Sequence, residues 1–123
     1  MYLYQDKNFE AFMLGKNCIY FKYFQNAEIN VEDVERGFQL HDEFNVTDQV
    51  IRIIHSEKYV SIAKEARELL ESAARPAKVE AYIIPSLPHK IVFNMHKRVR
   101  SANHPVRAFD SLDNALFWIK SFL

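Results

Sequence analysis

The sequence predicts an α/β domain with a mixed, mainly parallel sheet, and three observations predict this class. Short runs rich in β-branched and aromatic residues, such as "CIYFKYF", "QVIRII" and "VEAYII", indicate strands. Longer segments between them carry apolar residues three and four apart, which is typical of amphipathic helices. Two strands come first, joined by a short turn, and the later strands alternate with helices, which favours parallel pairing. The predicted order is β-β-α-β-α-β-α-β-α.

The first half of the chain predicts a hairpin followed by a helix. Residues 9–14 and 18–24 flank "GKN", a turn that contains glycine. The second arm is bulky on both faces, so it belongs to the core if helices cover both and forms an aromatic patch if they cover one. Asn30 is the predicted N-cap of the helix, which ends near Phe44. Gly37 within this helix costs about 1 kcal/mol relative to alanine.

The second half predicts three further helices. Residues 62–74 carry an apolar stripe and stop before Pro76, and residues 86–100 follow the strand "VEAYII" as the third helix of the chain. The last strand is "HPVRAF". Asp110 is the predicted cap of the final helix, on which Trp118 should be partly buried.

Length and composition indicate one cytoplasmic domain. The 123 residues suit a single domain over 1–123, with residues 1–8 as an N-terminal extension. Sixteen basic and sixteen acidic residues cancel, which argues against nucleic-acid binding. Cys18 is the single cysteine, as expected in a reducing compartment. Neither a signal peptide nor an apolar run of about 20 residues is present, so we expect no membrane contact.

Two segments carry a family resemblance. "SIAKEARELL" resembles the helix start, and "PVRAFDSLDNALFWIKSF" the ending, of a group of small bacterial STAS-like domains of uncharacterised function. The ending combines a proline-led strand, an acidic cap and a helix with Ala115 and Trp118. The element order agrees from about Phe9 onward. The resemblance implies a five-stranded STAS-like sheet with four helices and a non-enzymatic role in binding or regulation.

Ser61 lies at the turn where the resemblance places a phosphorylated serine. Related antagonists of anti-sigma factors carry an Asp-Ser-Ser-Gly-like run there, whereas this chain has "YVSIA". Ser61 precedes the apolar stripe by one residue, which is the place of an N-cap. We expect Ser61 to cap the helix, and a phosphorylation switch is the alternative.

Other candidate binding residues are basic. Residues 81–108 contain no Asp or Glu, and Lys97, Arg98 and Arg100 fall near the end of the predicted third helix. They suit an acidic partner or anionic ligand, although a solvated helix end that complements its dipole is favoured. His55 ends a strand, where ligands of open α/β sheets gather. A lone histidine is more often structural, and the histidine spacing predicts no metal site.

These observations favour a protein-binding regulatory domain that has no cofactor and no catalytic activity. We expect a protein partner, and a homodimer formed through the aromatic hairpin is a second candidate. The alternative is a small-molecule or lipid-binding module with a pocket at the carboxyl ends of the strands.

Overall fold

The computed structural model describes residues 3–44, 49–73, 75–84 and 102–123, and it confirms the α/β class with a mixed, mostly parallel sheet. In the described residues the strands are β1 Leu3–Gln5, β2 Phe9–Met13, β3 Cys18–Tyr23, β4 Glu28–Ile29, β5 Ile51–Ser56, β6 Ser61–Ile62, β7 Val79–Ile83 and β8 Val106–Phe109. The helices are α1 Val31–Glu43, α2 Lys64–Ala73 and α3 Leu112–Ile119, and a 3-10 turn, Lys120–Phe122, ends the chain.

The main sheet has six strands in the order β1-β2-β3-β5-β7-β8, not the predicted five. The extra strand is β1, which pairs antiparallel with β2 through the register Leu3↔Phe12 to Gln5↔Glu10. The predicted extension over residues 1–8 therefore contributes an edge strand. Within this sheet only β2 runs against the other strands. The predicted hairpin of β2 and β3 and the parallel pairing of β5 and β7 are both confirmed.

Helices pack on both faces of the sheet, so the aromatic hairpin belongs to the core. Phe21 lies on the face that α1 covers, where its cluster includes Leu40 of that helix. Tyr20 points to the opposite face and clusters with Ala115 and Ile119 of α3. Tyr20 and Phe21 are each only 5% exposed, which confirms that both faces of β3 are covered. We call these the α1 face and the α3 face.

Helix α1 begins and ends as predicted. Asn30 caps it: its side chain accepts from the Asp33 amide at 3.1 Å, and Asp33 accepts from the Asn30 amide at 3.0 Å. Asn8 of the turn between β1 and β2 donates to the same Asp33 carboxylate at 3.0 Å. The start of α1 is therefore tied to the edge of the sheet as well as capped.

The predicted cap at Ser61 is wrong. After β5 the chain makes a turn over residues 57–60, and Ser61 and Ile62 then form β6, which pairs parallel with β4. The Ser61 amide donates to the Ala27 carbonyl at 2.9 Å, and α2 begins only at Lys64. Ile62 packs into the cluster beneath α1 and α2, and this burial keeps the segment out of the helix.

The end of the chain needs one further correction. Ser111, not Asp110, is the N-cap of α3, because the Ser111 hydroxyl accepts from the Asn114 amide at 3.2 Å. Asp110 instead accepts from the Asn114 side chain at 3.0 Å. Trp118 is partly buried, as predicted, and its ring packs against Phe109 and Phe122. The predicted helix over residues 86–100 lies outside the described residues.

Candidate functional site at the carboxyl ends of β3 and β5

A row of polar side chains crosses the carboxyl end of the sheet on its α3 face. Register pairs Gln5 with Glu10, Glu10 with Lys22 and Lys22 with His55, and register partners point to the same face. The next row of the same face is apolar, from Phe12 through Tyr20 to Ile53 and Ala81. We call Gln5, Glu10, Lys22 and His55 the polar row. Gln5 is exposed and the other three side chains are half-buried.

His55 is held by a tyrosine from the neighbouring strand. The Tyr20 hydroxyl and His55 Nδ1 are 2.5 Å apart, and the two rings meet edge to face at 6.0 Å. Burial, and then the Lys22 cation, lower the pKa of His55, while burial raises the pKa of Tyr20 to about 12. At neutral pH both rings are therefore uncharged, and a hydrogen bond joins the Tyr20 hydroxyl to His55 Nδ1. His55 was a candidate from the sequence, but Tyr20 was not, because its place in a bulky strand indicated only core packing.

Glu57 joins the polar row to the turn that follows β5. Its Oε1 accepts from the Gln25 amide at 3.0 Å, and its Oε2 lies 3.8 Å from Lys22 Nζ. The Asn26 amide donates to the Lys58 carbonyl at 3.1 Å. The chain leaving β3 and the chain leaving β5 are thus bonded to each other immediately beyond the sheet.

Tyr59 occupies this turn in a left-handed conformation. Its φ is +61°, and the residue is 63% exposed. Asn26 in the neighbouring loop has φ +67°, but asparagine tolerates this region better than tyrosine does. We call residues 57–60 the Tyr59 turn, and Lys22, His55, Glu57 and Tyr59 together the carboxyl-end surface.

The remaining candidates from the sequence are not brought to this surface by any described contact. Ser61 is half-buried in β6, directly after the Tyr59 turn. Lys97, Arg98 and Arg100 lie outside the described residues.

A second polar cluster, which the sequence analysis missed, lies on the α1 face near the amino ends of β5 and β7. Arg52 and Glu80 are 6% and 2% exposed, and Arg52 Nη2 donates to Glu80 Oε1 at 3.2 Å. His104 donates to the same oxygen at 2.8 Å, and Tyr82 donates to Oε2 at 2.5 Å. Arg52 also donates to His41 Nε2 at 3.4 Å. We call this set the Arg52 cluster.

The Arg52 cluster has the character of a structural network. Each Glu80 oxygen accepts at least one hydrogen bond, and Arg52 additionally donates to the Arg75 carbonyl at 2.7 Å. Burial, and then Arg52, lower the pKa of His41 to about 4, so a neutral His41 accepts from the guanidinium. A buried ion pair whose groups are bonded in this way holds elements together.

The Cys18 thiol is not poised for chemistry. Burial raises the pKa of the Cys18 thiol to about 11, which leaves it protonated at neutral pH. No three His, Cys, Asp or Glu side chains converge to hold a metal ion in the part of the chain that the structure describes. Over the same residues no helix has the length and apolar character needed to cross a bilayer.

Fold and site define an α/β domain with a mixed six-stranded sheet and a polar surface at its strand ends. The family model described as a domain of unknown function, DUF7793, matches residues 12–123, and the chain belongs to this family. No curated protein and no solved structure matches the chain significantly. The match begins within β2, so β1 lies before the family's matched region.

Proposed function

We propose that this protein is a non-enzymatic, STAS-like regulatory domain of the bacterial cytoplasm that acts by binding another protein. The carboxyl-end surface is the proposed contact. The observation that carries the proposal is the polar row, which follows the apolar row of Phe12, Tyr20 and Ile53 on the same face, where strands β3 and β5 end. Open α/β sheets bind their ligands at the carboxyl ends of strands.

The state of the ionisable groups supports binding rather than catalysis. A tyrosine whose pKa is about 12 and a thiol whose pKa is about 11 are both protonated at neutral pH, so neither is a ready base or nucleophile. Lys22 and Glu57 pair with each other at the edge of the surface. Partly exposed charges of this kind mainly govern specificity and association rate.

A second candidate function is a small-molecule or lipid-binding module. The observation that favours it is the Tyr20–His55 pair, in which Tyr20 is buried, His55 is half-buried, and the Phe12 ring lies 4.9 Å from the Tyr20 ring. A hydrogen-bonding pair beside an aromatic wall suits a ligand with one polar end. The protein partner in the first proposal could also be a second copy of this chain, which would bind through the carboxyl-end surface as a homodimer.

The test is a pull-down with the products of neighbouring genes, using wild-type protein and two charge-reversal variants. Lys22→Glu places a third carboxylate beside Glu10 and Glu57. This variant should bind a protein partner at least tenfold more weakly than the wild type does. Lys16→Glu is the matched control, since Lys16 is exposed in the turn at the opposite end of the hairpin. Equal binding by both variants would contradict the proposal that the partner binds at the carboxyl-end surface. Native mass spectrometry that finds a retained small molecule would instead favour the second candidate.

A further inference from the structure

The α3 face carries an apolar row that becomes more exposed toward the β1 edge of the sheet. Register places Tyr20, Phe12 and Leu3 side by side on β3, β2 and β1. Tyr20 is 5% exposed, Phe12 is half-buried and Leu3 is 58% exposed. Helix α3 packs mainly on β7 and β8, toward the opposite edge of the sheet from β1 and β2. In the described residues, the apolar surface of β1 and β2 on this face is therefore left partly open.

Two opposite charges lie in the adjacent polar row. Glu10 of β2 pairs in register with Lys22 of β3, and both side chains are half-buried. Within the part of the chain that the structure describes, the Glu10 carboxylate forms no ion pair, and Lys22 Nζ approaches only the Glu57 carboxylate, at 3.8 Å. Burial, and then the Glu10 charge, raise the pKa of Tyr20 to about 12, so the Glu10 carboxylate lies near the apolar row. A cation from a binding partner would stabilise this half-buried carboxylate.

From these features we infer that the α3 face binds a second copy of this chain, and that the two copies form a symmetric dimer. In a symmetric dimer the same surface of both copies meets across a two-fold axis. With the axis parallel to the strands and above the boundary between β2 and β3, Glu10 of each copy lies opposite Lys22 of the other. The apolar rows of the two copies then pack against each other, as the faces of stacked sheets do.

A second copy fits this face better than an unrelated protein does. An unrelated partner must supply a cation for Glu10 and an anion for Lys22 at the correct spacing, whereas a second copy supplies both from the same two residues. Sixteen basic and sixteen acidic residues also give a net charge of zero, so two copies do not repel each other at long range. The inference rests on the proposed protein-binding function and names the partner.

Sedimentation equilibrium of the purified wild-type chain is the first arm of the test. As the concentration is raised from about 1 μM to about 1 mM, the average mass should rise from 14.5 kDa toward twice that value. A mass of 14.5 kDa at every concentration would overturn the inference. The proposed function would then depend on the pull-down alone, and it would be overturned as well only if no protein were recovered.

Charge reversal across the dimer is the second arm. Glu10→Lys places cations opposite each other and Lys22→Glu places carboxylates opposite each other, so the dissociation constant of each variant should rise by about tenfold or more. An equimolar mixture should form the dimer again, because the new lysine of one variant faces the new glutamate of the other. Lys16→Glu, in the exposed hairpin turn, is the control and should dimerise as the wild type does. A wild-type dimer that neither variant weakens, or folded variants whose mixture stays monomeric, would overturn the inference.

Discussion

At the scale of single residues, the role of a serine depends on the path of the backbone around it. Ser61 and Ser111 each precede an apolar helical stripe in the sequence, yet only Ser111 accepts a hydrogen bond from a helix amide. The pairing of β4 with β6 uses the Ser61 amide in a sheet, three residues before α2 begins at Lys64. Since this pairing joins residues more than thirty positions apart, the local sequence cannot predict it.

The two serines should therefore respond differently to alanine. Ser111→Ala removes the cap of α3 and should lower the free energy of unfolding by about 1 kcal/mol. Ser61→Ala removes no cap and should change it by less than about 0.5 kcal/mol. Urea unfolding of both variants measures the difference. A loss at Ser61 as large as that at Ser111 would restore the capping role.

His41 should make the protein sensitive to acid. Its pKa is about 4 in the folded state, against an ordinary value of 6.5, because burial and Arg52 disfavour its charged form. Between these values the unfolded chain binds more protons, so stability rises with pH. This contribution, about 3 kcal/mol, is complete above pH 6.5 and is lost as the pH falls toward 4.

Urea unfolding between pH 7 and pH 4.5 tests this dependence. In His41→Gln the slope of stability against pH should be much flatter, because the amide cannot take up the proton and its oxygen can still accept from Arg52. His55→Gln is the control and should keep most of the slope. A wild-type slope in His41→Gln would show that His41 is not the group responsible.

At the scale of elements, α1 contains a glycine that its packing does not need. A Cβ added to Gly37 would lie 3.9 Å from the nearest atom, Phe21 Cε1, which is ordinary van der Waals contact. Gly37→Ala should therefore stabilise the protein by about 0.5–1 kcal/mol, since alanine loses less backbone entropy in a helix. Thermal unfolding measures the gain.

Gly15 supplies the matched control for that substitution. Its φ is +84°, in the hairpin turn between β2 and β3, so Gly15→Ala is strained although nothing lies within 4 Å. We expect Gly15→Ala to destabilise the protein by about 1 kcal/mol. If Gly37→Ala were also destabilising, the contact between α1 and β3 would be tighter than the structure shows.

Sequence periodicity predicted the elements long enough to display it. The hairpin of β2 and β3, helix α1 with its Asn30 cap and strand β7 were predicted in place. Strands β1, β4 and β6 have only two or three residues, too few for an alternating pattern, and exist because a partner strand lies beside them. Helix α2 begins at Lys64, two residues after its predicted start, because Ser61 and Ile62 pair with β4.

At the scale of the whole molecule, the Arg52 cluster joins parts of the chain that are far apart in sequence. Arg52 lies 28 residues from Glu80 and 11 from His41, and His104 lies 24 residues beyond Glu80. In the sequence these are isolated charged residues within or beside apolar runs. Only the parallel register of β5 and β7, which pairs Arg52 with Glu80, shows that they belong together.

Removing one member of the buried Arg52–Glu80 pair should lower the free energy of unfolding far more than removing one member of an exposed ion pair. Arg52→Met leaves the Glu80 carboxylate buried without its cation and should lower the free energy of unfolding by about 3–5 kcal/mol. Adding Glu80→Leu removes the stranded charge, so the double variant should be more stable than Arg52→Met alone. A double variant as destabilised as the sum of the two single variants would show that the pair is not coupled.

The candidate site was predictable in part. The end of a strand was a sound reason to single out His55, but its partner Tyr20 comes from a neighbouring strand 35 residues earlier. The left-handed conformation of Tyr59 has no sequence signal, because such positions usually carry glycine or asparagine. Register and backbone conformation, not residue type, assemble the carboxyl-end surface.

The most direct test of the proposed binding role is hydrogen–deuterium exchange of the wild-type protein with and without the partner found by pull-down. We predict slower exchange on binding in residues 22–28 and 55–61, which contain the ends of β3 and β5 and the Tyr59 turn. Helix α3, with its exposed Phe117, should exchange as it does in the free protein. Protection confined to α3, with none at the carboxyl-end surface, would show that the partner does not bind where we propose.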